Sequence, residues 1–246
     1  NWGAPFYFHP DERNIAAAVS QLRFPEQMNP HFFAYGSLPL YIIFFTGLVT
    51  NFLKTCHFTL TSCGVSFEQA IVISRFFSAV FSILLIPLIF FLGKNLFDKS
   101  AGFLSAVLTT LSVGFIQFAH FGTVEMWLTF FGAVLFYLIL AGKNSLGRWQ
   151  LLYIGIVLGI LIAIKVSSLV LLPLPILALF WQHYHHHIKR SLLCIFTKTT
   201  IDSLTLLWIA AAVYVVTNPF VFLDNASFIH SMRYESTLAA GTLPVF

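Results

Sequence analysis

Residues 150–181 read QLLYIGIVLGILIAIKVSSLVLLPLPILALFW, and how this block is divided decides the topology of the chain. As a single helix it would measure about 48 Å, too long for one ordinary passage through a hydrocarbon core of roughly 30 Å. The run Lys165-Val166-Ser167-Ser168 interrupts it. The block therefore reads as two crossings, 150–164 and 166–181, with the turn at Lys165. That division places Lys94 with Lys99, Lys143 with Arg148, and Lys189, Arg190 and Lys198 in alternate connections on one side. The positive-inside rule makes that side cytoplasmic.

Working outward, three further crossings are expected at about 70–92, 101–119 and 125–142, and a last one at about 201–218, ending at Asn218-Pro219. The composition agrees. Of 246 residues, 58% are hydrophobic, 29 are Phe and only 9% are charged, too few charges to build a water-facing surface. The expected class is all-α, a polytopic helical membrane protein with about six crossings in residues 70–218. The net charge of +4 is modest and its Lys and Arg are scattered, so nucleic-acid binding has no support. Cys56 and Cys63 share a polar loop, 54–69, and could pair if that loop is extracytoplasmic; Cys194 lies elsewhere. The chain opens without Met and stops in a Thr-Leu-Pro run, so a fragment is expected. No internal repeat is visible.

Before the first long apolar block, residues 1–37 are mixed and residues 38–53 are apolar but carry Pro39, Gly47 and Asn51. Sixteen residues rise about 24 Å, short of the roughly 30 Å core, so 38–53 either crosses or lies in the interface, and the side on which residues 1–37 fall depends on which. Within 1–37, His9-Pro10-Asp11-Glu12 starts a short amphipathic helix. Pro10 suits its first turn, and Asp11 and Glu12 sit where the helix dipole favours anions. Ile15, Ala18, Val19 and Leu22 mark the docking face. Asp11 shares that face, and Glu12 is turned about 100° away. An ordinary charged helix start accounts for the same spacing.

Charge is scarce enough to be informative. With 38–53 in the interface, Asp11, Glu12, Glu26, Glu68, Glu125, Asp224 and Glu235 fall on the outer side, against Asp98 and Asp202 inside. Glu125 opens a crossing, where a dipole-satisfied cap is the plain alternative. Lys165 lies between two short helices, below the headgroups, where a lysine needs a counter-ion or water and reads as functional. Arg75, a turn inside the 70–92 crossing, follows the same logic. Cations and a carboxylate at one depth suit an anionic lipid headgroup and a base.

These residues carry a resemblance. His9-Pro10-Asp11-Glu12 with Ile15-Ala16-Ala17 resembles the Asp-Glu motif in the first extracytoplasmic loop of the polyprenyl-phosphate-dependent membrane glycosyltransferases of the GT-C fold. That group includes protein O-mannosyltransferases and aminoarabinose transferases. Tyr35–Tyr41 (YGSLPLY) resembles their Pro-Leu-Tyr interfacial helix. Ser74–Ala79 (SRFFSA) resembles the Arg-bearing start of the next crossing, and Gly122–Phe131 (GTVEMWLTFF) the Thr-x-Asp/Glu segment. Lys165 with its Ser pair resembles the Lys ending a later helix.

The resemblance implies an inverting glycosyltransferase that moves a sugar, hexosyl or pentosyl, from a polyprenyl-phosphate carrier to a hydroxyl of a lipid or protein acceptor. The active site would be extracytoplasmic in a multi-pass protein of the cell membrane, the bacterial inner membrane by expectation. Carried over, Asp11 is the general base and Glu12 orients the acceptor or holds the loop. Lys165, Arg75 and Arg233 hold the donor phosphate, while His9, Tyr35, His120, Glu125 and Glu235 line the donor and acceptor pocket. Arg233 and Glu235 are equally explained as a surface ion pair. Gly36-Ser37-Leu38 stands where the aminoarabinose transferases have a Lys, which removes one phosphate contact. Glu125 stands where many relatives have Asp, leaving a divalent cation as an open possibility.

The competing reading is a transporter or lipid-carrier flippase, with Lys165, Glu125 and Arg75 as an intramembrane pathway. His183, His185, His186 and His187 read as a solvated loop rather than a metal site. Asn225-Ala226-Ser227 fits a glycosylation sequon that matters only in a eukaryotic lumen.

Overall fold

The computed structural model describes residues 6–54, 64–142, 147–186 and 192–241. Among them there is no strand, and the helices run in the order α1 Pro10–Gln21, α2 Ser37–Lys54, α3 Phe67–Leu96, α4 Lys99–Leu111, α5 Val113–His120, α6 Glu125–Ala141 and α7 Arg148–Ile164. A 3-10 helix, Val166–Leu171, then leads into α8 Pro173–His186, α9 Leu192–Thr217, α10 Phe220–Leu223 and α11 Asn225–Ala239. The protein is an all-α polytopic membrane protein. Phe67–Leu96, Val166–His185 and Leu192–Thr217 are each long and apolar enough to cross a membrane. Cys56, Cys63, Lys143, His187, Lys189 and Arg190 lie outside the described residues.

The helix pattern departs from the sequence expectation in three places, at 101–119, after Lys165 and after Asn218, while the expected 70–92 crossing runs unbroken through Pro87. The 101–119 crossing is broken: Ser112 adopts an extended conformation and α4 and α5 meet at a 54° bend. The crossing after Lys165 starts in 3-10 geometry and continues past residue 181, so His183 and His185 belong to α8 and not to a loop. Pro87 sits inside α3, which nevertheless runs for 30 residues, about 45 Å. The tail after Asn218 is helical, as α10 and α11.

Two apolar clusters hold the bundle. The first joins Ile15 and Val19 of α1, and Leu22 just after it, to Leu40, Ile43 and Phe44 of α2, Ile71 of α3, Trp127 of α6 and Ile164 of α7. The second joins Leu135 of α6, Ile154, Leu158 and Leu161 of α7, Leu179 of α8 and Leu206 of α9. α7 lies close on α9 because Gly155 and Gly159 carry no Cβ; one at Gly159 would come within 2.7 Å of the Ala210 carbonyl oxygen. The first cluster sits at the end where α3 begins, α7 and α9 finish, and α5 turns into α6. Lys94, Lys99, Arg148 and Lys198 lie on the opposite ends of their helices.

Candidate active site

α1 is started by His9, whose side-chain Nδ1 accepts from the Asp11 amide at 3.2 Å and lies 3.5 Å from Asp11 Oδ2. The next residue, Glu12, is fully buried. This corrects the expectation that Glu12 turns away from the docking face. Ala16 and Val19, one and two turns on, are buried beneath the same stripe.

Glu12 joins four parts of the chain. Its Oε1 accepts from Arg75 Nε at 2.6 Å and from the Gly122 amide at 2.9 Å. Its Oε2 accepts from Arg75 Nη2 at 2.9 Å and from the Phe8 amide at 3.1 Å. Arg75 also donates to the Phe6 carbonyl at 2.8 Å. The guanidinium that the sequence assigns to the donor phosphate is thus engaged in a bidentate pair with Glu12, buried at the start of α3. Gly122 permits the approach: a Cβ there would lie 2.0 Å from Ser74 Oγ and 3.0 Å from Glu12 Oε1.

Asp11, one residue back, is left facing Tyr35. The phenol is 7% exposed, and its ionisation is held far above the usual range. Burial is the largest cause, followed by the hydrogen bond with Asp11 and the negative charges of Asp11, Glu125 and Glu235. Tyr35 therefore stays a neutral O–H donor surrounded by three carboxylates. Over its ring face, 5.1 Å from the centroid, sits Lys165 Nζ. Asp11 and Lys165, 154 positions apart in the chain, meet at one side chain.

The backbone fixes this meeting. Gly36 N–H donates to the Ile164 carbonyl at 2.9 Å, joining the residue after Tyr35 to the residue before Lys165. The strands of chain touch so closely that a Cβ on Gly36 would fall 1.8 Å from the Ala163 carbonyl oxygen. Ser37 N–H then donates to Asn218 Oδ1 at 2.5 Å, at the end of α9. Asn218 is fully buried, and its Nδ2 donates to the Tyr214 carbonyl and to Thr217 Oγ1. Asp224, at the N-cap of α11, accepts from Asn29 Nδ2 at 2.9 Å and ties the 29–31 segment to that helix. None of Asn29, Asn218 or Asp224 stood out in the sequence as a support of the site.

The other expected residues fall into two groups. Glu125 opens α6 with its Oε2 buried and without a hydrogen-bond partner, and it and Glu235 act on the Tyr35 hydroxyl. His120 ends α5 exposed, its Nδ1 2.6 Å from the Ile116 carbonyl oxygen. Arg233 is exposed on α11, and two residues' rotation, about 200°, separates it from Glu235. Among the described residues no three His, Cys, Asp or Glu side chains group to hold a metal ion. A cleft of about 530 Å³ lies between His31 and Phe33 on one wall and Ser227, His230, Ser231 and Tyr234 of α11 on the other, and none of Asp11, Tyr35 and Lys165 lines it.

At the far end of the bundle, His183 is also buried, corrected from a solvated loop. Its Nδ1 lies 2.9 Å from Thr199 Oγ1 and its Nε2 3.2 Å from Asp202 Oδ2, bridging α8 to α9.

Lys165 on the Tyr35 ring face, with Asp11, Glu125 and Glu235 acting on the hydroxyl, gathers scarce charges around one side chain. No curated protein and no solved structure matches the chain. The family model described as dolichyl-phosphate-mannose-protein mannosyltransferase matches residues 63–208, more than half of the chain. The matched segment contains Arg75, His120, Glu125 and Lys165; Asp11, Glu12, Tyr35 and Glu235 lie outside it. The chain belongs to the dolichyl-phosphate-mannose-protein mannosyltransferase family, and it is a membrane glycosyltransferase.

Proposed function

We propose that the protein transfers a mannosyl group, with inversion, from a polyprenyl-phosphate carrier to a hydroxyl of a protein acceptor on the extracytoplasmic face. The observation that carries this reading is the meeting of Asp11 and Lys165 at Tyr35 in a member of a glycosyltransferase family. The acceptor hydroxyl gives its proton to Asp11 as its oxygen attacks the anomeric carbon. The bond from that carbon to the phosphate oxygen breaks on the opposite face, and its electron pair leaves with the carrier phosphate. The phosphate gains one negative charge in this step, and Lys165 offsets it.

Glu12 and Arg75 act as supports. Their ion pair fixes α1 against α3 and so fixes the direction of the Asp11 carboxylate. The basic residues at the opposite helix ends agree with an extracytoplasmic site.

Asp11→Asn tests the reading. The amide keeps the shape and loses the base, and general-base catalysis is worth about 100- to 10,000-fold. Transfer from dolichyl-phosphate-mannose should fall by at least that lower figure while the protein still binds the donor lipid. Undiminished transfer in the Asn variant would remove Asp11 from the reaction.

A further inference from the structure

We propose that the cleft between residues 31–33 and α11 is a docking subsite for the acceptor polypeptide, seating the residues that flank the hydroxyl to be glycosylated. The proposal rests on the protein-acceptor reading given above. It adds a place for the acceptor chain that shares no residue with Asp11, Tyr35 or Lys165.

The lining determines what the cleft can take. Its walls carry the imidazoles of His31 and His230 and the hydroxyls of Ser227, Ser231 and Tyr234, beside the ring of Phe33. Among the described residues no Lys, Arg, Asp or Glu lines it. A phosphate headgroup is held by cations, and none is offered here. A polyprenyl chain cannot satisfy the hydroxyls and imidazoles it would cover. Uncharged hydrogen-bonding groups mixed with aromatic faces suit a polypeptide, whose backbone presents an N–H and a C=O at nearly every residue. The volume, about 530 Å³, lies in the range of a pocket for a small ligand and holds a short stretch of extended peptide.

The walls are fixed to each other and to the reacting cluster. Phe33 is buried and meets the Phe228 ring of α11 edge-on, 5.9 Å between centroids. His31 is exposed and has a φ of 48°, the left-handed region that few residues other than glycine adopt. Its N–H donates to Asn29 Oδ1 at 3.1 Å, and Asn29 Nδ2 donates to Asp224 Oδ2 at the N-cap of α11. The same helix that forms one wall therefore holds the imidazole of the other. Phe33 precedes Tyr35 by two residues, which limits their Cα separation to about 7 Å. Lys165 Nζ sits 5.1 Å from the centroid of the Tyr35 ring. An acceptor whose hydroxyl stands at that cluster has its neighbouring residues within reach of the cleft.

Acceptor length is the readout. In the full protein, with dolichyl-phosphate-mannose as donor, transfer is measured to a peptide bearing serine and threonine and to a single threonine blocked at both ends, which is too short to fill the cleft. The parent protein uses the peptide with the higher kcat/KM. Ser231→Trp fills the cleft from the α11 side and lowers the ratio of kcat/KM for peptide over blocked threonine by about tenfold or more, the worth of one lost anchor. The donor KM stays within about twofold, because the donor does not occupy the cleft. His230→Ala removes a contact without adding bulk, lowers the same ratio, and decides the matter should Ser231→Trp fail to fold. A ratio that stays at the parent value overturns the proposal, whether activity is kept or lost on both acceptors alike. A raised donor KM with an unmoved ratio also overturns it and gives the cleft to the carrier-linked sugar. Peptide transfer by the parent with an unmoved ratio in the variants removes the docking subsite alone, whereas a parent protein that mannosylates neither acceptor removes the protein-acceptor reading and the subsite with it.

Discussion

Replacing Glu12 by Gln should cripple the protein although the two side chains have nearly the same shape. Each carboxylate oxygen accepts from one guanidinium nitrogen and one backbone amide: Oε1 from Arg75 Nε and Gly122, Oε2 from Arg75 Nη2 and Phe8. Whichever way the amide is turned, its NH2 group confronts one donor of each kind. Arg75, 9% exposed, keeps its charge and loses its counter-ion. Breaking a buried pair from one side costs about 3–5 kcal/mol. On soluble-domain scaling of about 2–4 °C per kcal/mol, the midpoint should drop by roughly 6–20 °C. The assay is thermal unfolding in detergent micelles, followed by tryptophan fluorescence and by loss of the monodisperse peak. Adding Arg75→Gln to Glu12→Gln removes the stranded charge, so the double variant should be less damaged than the sum of the singles by about 2 kcal/mol or more. A Glu12→Gln protein that unfolds within 2 °C of the parent (roughly the shift expected from 1 kcal/mol or less), or strictly additive singles, would refute the assignment of this pair as the anchor of α1.

Three further outcomes follow from the geometry. Gly36→Ala places a methyl group against the Ala163 carbonyl oxygen, a backbone atom that cannot swing aside, so both stability and transfer should fall sharply; a fully active Gly36→Ala enzyme would contradict the close approach. His183→Ala strips Thr199 and Asp202 of their bridge at the α8–α9 contact and should cost about 1–3 kcal/mol in unfolding measurements, while the activity of the folded fraction is unchanged. Hydrogen bonds from Asn29 and Ser227 hold the Asp224 carboxyl below the usual carboxylate range. Its contribution to stability is therefore present above that range and is lost as pH falls through the lower folded value, so the melting temperature of Asp224→Asn should converge on that of the parent in acid.

The apolar blocks were legible as helices because runs of that length announce themselves, and Asp11 and Lys165 stood out because charge is rare in this chain. What was missed follows from short-range physics that composition does not encode. Glu12 was placed by its angle from Ile15, yet Ala16 and Val19 follow it at helical spacing, a signal that the face is broad enough to bury it. An acid on that face required a cation from another helix, and Arg75 answered it; the sequence reading had sent Arg75 to the phosphate because nothing marked its partner. The break at Ser112 carries no proline, whereas Pro87 leaves α3 unbroken, so the usual punctuation failed in both directions. Histidine reads as polar, which hid the continuation of α8 through His183 until Thr199 and Asp202 were seen opposite it. Asn218 was read as the end of a crossing, and its side chain proves to hold the turn after Tyr35.

The bond between Ser37 and Asn218 has a consequence for biosynthesis. The Tyr35 cluster draws on positions 11, 35, 125, 165 and 235, and the turn that presents Tyr35 is held by Asn218, which follows Ser37 by 181 positions in the chain. A nascent chain inserted only as far as α8 owns the carboxylate and the lysine but lacks the clasp that sets their spacing. The turn after Tyr35 thus takes its finished form only once the end of α9 is in place.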